Sequence, residues 1–285
     1  MQSRNPVFAR TDEFKRGGYA TFDERPNLSK SPEASARSGD PAPPAGQLED
    51  MYNRPSATPV DTDRMTLDDV VMKTAAIFGV LTIVAALTFF MLQPNLITIF
   101  GGMIVGLGLA IWISFSKKVR PAAIMAYAVA EGVFVGAISD FYAGYFGGNI
   151  VPQAVLGTLA AFSAMLLAYK TGLVRATPRF RKILMIAMIG YLVFGMVHLL
   201  GVLFGAWDSI YFGGDGPNIL GIGLSAFGVV LASLFLVLDF DYIEQGIRNG
   251  IPQRYAWMAA FGLVVTLVWL YLEILRLLAI LRGND

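Results

Sequence analysis

The side chains able to do chemistry in this chain are few, and most sit inside long apolar runs. Three acids cluster at Asp239-Phe-Asp241-Tyr-Ile-Glu244, and Glu131, His198, Glu273 and Arg276 stand singly among aliphatic residues. Ionisable groups at membrane depth are costly unless paired or hydrated, so each is a functional candidate. Asp239 and Asp241 are two apart, and such residues do not face each other on a helix. They therefore read as a solvated helix end, or as acids held by a cation. Lys73, Lys117 and Lys118 are the cations available to latch them. Glu273 and Arg276 are three apart and share a helix face, which suits a local ion pair. A wider cluster with Glu131 or His198 is the alternative. Glu131 falls about ten residues into its run, near mid-membrane at ~1.5 Å per residue. It reads either as a neutral or hydrogen-bonded carboxyl or as a functional one.

Several chemistries are excluded. The chain has no Cys and one His, which removes disulfides, thiol nucleophiles and multi-His metal sites. Its net charge of +1 lacks the concentrated basic face of a nucleic-acid binder. No nucleophile elbow, HExxH or phosphate loop is present. An intramembrane aspartyl protease would place paired acids on two helices, whereas both central Asp residues here lie on one. An enzyme is not expected, nor a cofactor, calcium being treated as an ion bound or carried.

The elements that must position these groups are membrane helices. Of 285 residues, 55% are hydrophobic and only 15% charged, with a mean hydropathy of +0.57, against roughly 25% charged in an average soluble domain. Seven apolar segments are expected, near 69–92, 95–116, 121–142, 151–171, 181–205, 218–238 and 255–281. The acidic Asp239–Glu244 stretch reads as a hinge between the last two. Thr66 suits a helix N-cap, with Asp68 and Asp69 complementing the dipole. Gln93-Pro94-Asn95 reads as a tight turn, and Gly147-Gly148-Asn149 and Gly213–Pro217 as loops. Glycines four apart, Gly102 and Gly106, Gly132 and Gly136, and Gly201 and Gly205, suit close helix packing. Residues 1–60, rich in Pro, Ser and charge, read as a disordered cytoplasmic tail, and 65–285 as the transmembrane domain. The polar N-terminus offers no cleavable signal peptide, so the first helix would serve for targeting.

Orientation follows from the basic residues. Lys and Arg crowd the junctions after segments two, four and six, while the alternate loops hold Asp140, Asp208 and Asp215. This predicts a cytoplasmic N-terminus and an external C-terminus in a bacterial inner membrane, with Arg282 the exception.

Four stretches carry a resemblance: MTLDDVVMKT at the first helix, AEGVFVGAIS (Ala130–Ser139), LDFDYIEQGI (Leu238–Ile247) and YLEILRLLAIL (Tyr271–Leu281). In order and spacing they resemble the bacterial branch of the Bax inhibitor-1 family, also called the transmembrane Bax inhibitor motif or YccA-like family, over about residues 65–281. The resemblance implies six helices around a central seventh and a slow, pH-gated calcium leak. In such relatives an Asp near the end of helix six shares a proton with an Asp on helix seven. Asp239 matches the first acid. Thr266 stands at the second, a departure that leaves Asp241 or Glu244 as candidate substitutes. Arg276 matches the family's helix-seven Arg.

The resulting expectation is a pH-sensitive calcium or cation leak through the bilayer. Asp239 and Asp241 would close the cytoplasmic end and bind calcium through carboxylate oxygens. Glu131, Glu273 and Arg276 would set the electrostatics of the path. The rival is a non-conducting regulator of a membrane protease or other membrane complex, in which bulky Trp269–Leu272 plugs the core.

Overall fold

The computed structural model describes residues 63–92, 95–206 and 219–283. The tail 1–60, Gln93-Pro94 of the expected turn, Asp208 and the Gly213–Pro217 loop lie outside the described residues. The described chain is all-helical. It comprises α1 (Leu67–Met91), α2 (Leu96–Phe115), α3 (Pro121–Phe146), α4 (Ile150–Lys170), α5 (Pro178–Leu203), α6 (Ile219–Arg248) and α7 (Ala256–Arg282). A single 3-10 turn, Gln253–Tyr255, leads into α7. All seven are long and apolar enough to cross a membrane.

The helix starts are chemically specified. Thr66 accepts a hydrogen bond from the Asp69 backbone N–H at 3.2 Å. The Thr66 N–H in turn donates to Asp69 Oδ2 at 3.1 Å, closing a capping box. Asn95 and Thr98 close a second box at α2. Pro121 and Pro178 open α3 and α5 at the position where a missing N–H costs nothing.

α7 occupies the centre. Its buried residues, from Ala256 to Ile280, cover most of the helix circumference, and Leu281 alone of its residues is exposed. α1, α3, α4 and α6 pack directly on it. α2 leans chiefly on α3, and α5 on α6. α5 reaches the centre through a long side chain described below. Close approach is bought by glycine at one seam above all. A Cβ at Gly136 of α3 would lie 2.7 Å from Thr88 Cβ and 3.0 Å from Ala85 Cα of α1. Gly102 meets the Phe134 backbone in the same manner. The third expected pair differs, because Gly205 has φ +69 and ends α5 rather than packing it.

The acidic stretch is not a hinge. α6 runs unbroken through Asp239, Asp241 and Glu244 to Arg248. Nothing in Leu238–Gln245 breaks a helix, since Gly and Pro first appear at Gly246, Gly250 and Pro252. The stop comes at Gly250, whose φ of +62 is readily adopted only without a Cβ. At ~1.5 Å per residue, Asp239 lies about 30 Å from the start of α6, near the edge of a ~30 Å hydrocarbon core.

Candidate functional site

Among the described residues, the acids and the arginine singled out by the sequence, Asp239, Asp241, Glu244, Glu131, Glu273 and Arg276, fall into two polar centres and one separate acid. The first centre lies between α5, α6 and α7. Arg276 and Glu273 form an ion pair one turn apart on α7. Tyr191 of α5 donates to Glu273 Oε1 at 2.7 Å, and Trp269 Nε1 donates to the same oxygen at 3.0 Å. Arg276 Nη2 also donates to the Tyr191 hydroxyl. Glu273 is only 4% exposed. The cluster fits because α6 presents Gly228, where a Cβ would come within 2.5 Å of Glu273 Oε2 and 2.7 Å of the Tyr191 hydroxyl. Tyr191 thus ties the outer helix α5 to the central one. Spacing alone predicts the Glu273–Arg276 pair but not Tyr191. The available signal is a lone tyrosine two turns from His198 on one helix face. His198 itself is buried, its ring stacked on Phe194 with an interplanar angle of 3°.

The second centre is the last third of α6. Asp239 and Asp241 point in different directions, as residues two apart must. Asp241 pairs with Arg181 in the first turns of α5 and accepts from Gln245 Nε2 at 2.7 Å. Glu244 pairs with Arg248 at 2.6 Å and accepts from the Tyr169 hydroxyl of α4. Asp239 turns instead to α7. There the Thr266 hydroxyl faces its carboxyl, and a Cβ on Gly262 would stand 3.9 Å from Asp239 Oδ1. Asp239 Oδ2 is fully enclosed and has no hydrogen-bond partner among the described residues. The Thr266 hydroxyl lies 3.2 Å from the Gly262 carbonyl, to which it can donate. That hydroxyl is also within reach of the Asp239 carboxyl, so its one proton can be given to either oxygen acceptor.

The expected latch cations are placed otherwise. Lys73 lies 3.7 Å from Asp69 and donates to the Gln253 carbonyl at 3.2 Å, pinning α1 to the turn before α7. Lys117 and Lys118 are exposed and enter no ion pair among the described residues. Arg181 holds Asp241, because α5 packs along α6 whereas the α2–α3 junction lies elsewhere. A calcium ion shared by Asp239 and Asp241 does not fit this geometry, since the two carboxyls occupy different faces. No group of three or more His, Asp or Glu side chains converges among the described residues.

Glu131 joins neither centre. It faces Gly106 of α2, where a Cβ would lie 2.5 Å from its Oε2, and Leu81 and Val84 of α1 pack against the adjacent Gly132. Arg282, the basic residue at the opposite end, has a structural purpose. It donates to the Phe146 carbonyl at 2.9 Å and to Gln153 Oε1 at 2.9 Å, closing the C-terminal end of α3.

Seven membrane-length helices around a buried polar centre define a multi-pass helical membrane protein. A sequence profile described as Bax inhibitor 1 like matches residues 5–283, and the chain belongs to that family. The match takes in the N-terminal tail, which the motifs at 65–281 do not reach. The chain is also similar to an uncharacterized protein from Chlamydia muridarum, 34% identical over 87 residues. That stretch is 30% of this chain and 36% of the relative, so only about a third of the relative's length is spanned.

Proposed function

We propose that the protein is a non-enzymatic, pH-sensitive cation leak pathway of a bacterial inner membrane, with calcium the first ion to test. The observation carrying this reading is Asp239. Its carboxyl has one enclosed, unpartnered oxygen and faces the central helix at the edge of the hydrocarbon core. Enclosing a carboxylate oxygen without a partner is costly. Its charge state is therefore coupled to the packing of α6 on α7. Taking up or releasing a proton there would shift an equilibrium between closed and open arrangements. Asp241 and Glu244 are each held by an arginine and support α6.

Reconstituted in liposomes loaded with a calcium dye, the wild type is expected to leak at a rate that changes over a series from about pH 5 to pH 8. Asp239→Asn should flatten that profile. Asp241→Asn should alter the rate but keep the profile's shape. Thr266→Asp, which adds a second acid against Asp239, should change the steepness of the profile. An Asp239→Asn variant that titrates like wild type would overturn the assignment of the gate. Absence of flux in every folded variant would leave the non-conducting regulator of a membrane complex.

The proposed orientation places the Lys117, Arg175 and Arg248 end in the cytoplasm. A single cysteine introduced at exposed Gly148, in a chain without cysteine, should react with an impermeant thiol reagent in intact cells. One at Lys117 should react only after lysis. The reverse pattern would invert the protein.

A further inference from the structure

The connection between α4 and α5 is a built surface that the polar centres leave unused. Lys170 ends α4, and Gly172, with φ +74, turns the chain, its N–H donating to the Tyr169 carbonyl at 3.0 Å. Thr177 then caps α5, accepting from the Phe180 N–H at 3.2 Å. The turn projects Leu173, which is 82% exposed. The Arg175 guanidinium folds back over Gly172, its Nη2 3.3 Å from where a Cβ would sit.

Within Lys170–Lys182 stand five basic residues, and no acidic residue occurs anywhere from 141 to 207. Among the described residues one of the five is paired, Arg181, which turns inward to Asp241. Lys170, Arg175, Arg179 and Lys182 are exposed and enter no ion pair among the described residues. Orientation in the membrane accounts for basic residues at this end. It does not account for a protruding leucine set among four cations that are unpaired among the described residues. An apolar side chain flanked by cations, at the end of two membrane-length helices, is the chemistry of an interfacial anchor on anionic lipid.

We propose that the α4–α5 turn binds anionic phospholipid headgroups, with Leu173 entering the acyl boundary and Arg175, Arg179 and Lys182 holding the phosphates. The turn also launches the helix that carries Arg181, so a bound headgroup would steady the Arg181–Asp241 pair. This surface is independent of whether the protein conducts.

The test uses the full chain with Leu173→Cys as its single cysteine, carrying an environment-sensitive fluorophore, in nanodiscs with and without phosphatidylglycerol. Phosphatidylglycerol is expected to shift the label's emission to the blue, and high salt to reverse the shift. Arg175→Gln/Arg179→Gln/Lys182→Gln, which spares Arg181, should weaken the apparent lipid affinity on the order of a hundredfold. Native mass spectrometry of the same proteins should show fewer phosphatidylglycerol molecules retained by the triple variant. Lys117→Gln/Lys118→Gln, at the neighbouring basic junction, should leave the response intact. Identical emission in zwitterionic and anionic bilayers would overturn the proposal. An unchanged response in the triple variant would do so as well, as would equal losses in both variants, which would mean diffuse charge rather than a site.

Discussion

Arg276→Leu is expected to be among the most damaging single substitutions in the membrane domain, at roughly 3–5 kcal/mol for breaking a buried pair from one side. The lower end of that range is favoured here. Glu273 would keep two donors, Tyr191 at 2.7 Å and Trp269 at 3.0 Å, and so would not be left bare. Combining Arg276→Leu with Glu273→Gln should recover part of the loss, because the orphaned charge is then removed. Combining it with Glu131→Gln should recover nothing, since Glu131 lies against α2 and not in this cluster. Tyr191→Phe removes the hydroxyl that donates to Glu273 and accepts from Arg276, at roughly 1.5–3 kcal/mol for a hydrogen bond to a charged group, while loosening α5 from the centre. The measurement is the thermal midpoint in detergent, arranged as double-mutant cycles. Equal recovery with both glutamates, or with neither, would show that the ion pair is not what Arg276 contributes.

Gly136→Leu should prevent the native approach of α1 and α3. Even Gly136→Ala should destabilise, by about 1–3 kcal/mol, the usual cost of overpacking. The added Cβ would meet Thr88 Cβ at 2.7 Å and Ala85 Cα at 3.0 Å, and backbone cannot swing aside as a flexible side-chain tip can. Gly79 and Gly108 provide internal controls, since a Cβ at either has nothing within 4 Å. Alanine there should stay within about 1 kcal/mol of wild type, because a mid-helix glycine costs roughly that much relative to alanine. The same thermal assay reads all three. A Gly136→Ala protein as stable as Gly108→Ala would mean that the α1–α3 seam is looser than its geometry indicates. Gly132, the neighbour of Glu131 on α3, lies in the same seam against Leu81 and Val84 of α1.

What the sequence by itself determines about this protein is what depends on composition and on residues close together along the chain. Mean hydropathy and run length yield seven spans. Thr66 and Asp69, three apart, close the cap that begins α1. Glu273 and Arg276, also three apart, form their pair within one helix. Each rests on local geometry, which helical periodicity settles before any packing occurs. The tertiary structure decides the partners across helices. Arg181, not Lys73, Lys117 or Lys118, meets Asp241, and Tyr191 of α5 completes the Glu273 cluster. Thr266 of α7 is the group that faces Asp239, and Glu131 stands apart. These depend on how each helix is rotated about its axis. Helices apolar on nearly every side give no amphipathic stripe from which that rotation can be read, because lipid and protein interior are similarly apolar. Small residues such as Gly136 and Gly228 set it, by admitting a neighbouring backbone or a buried carboxylate at one place and nowhere else.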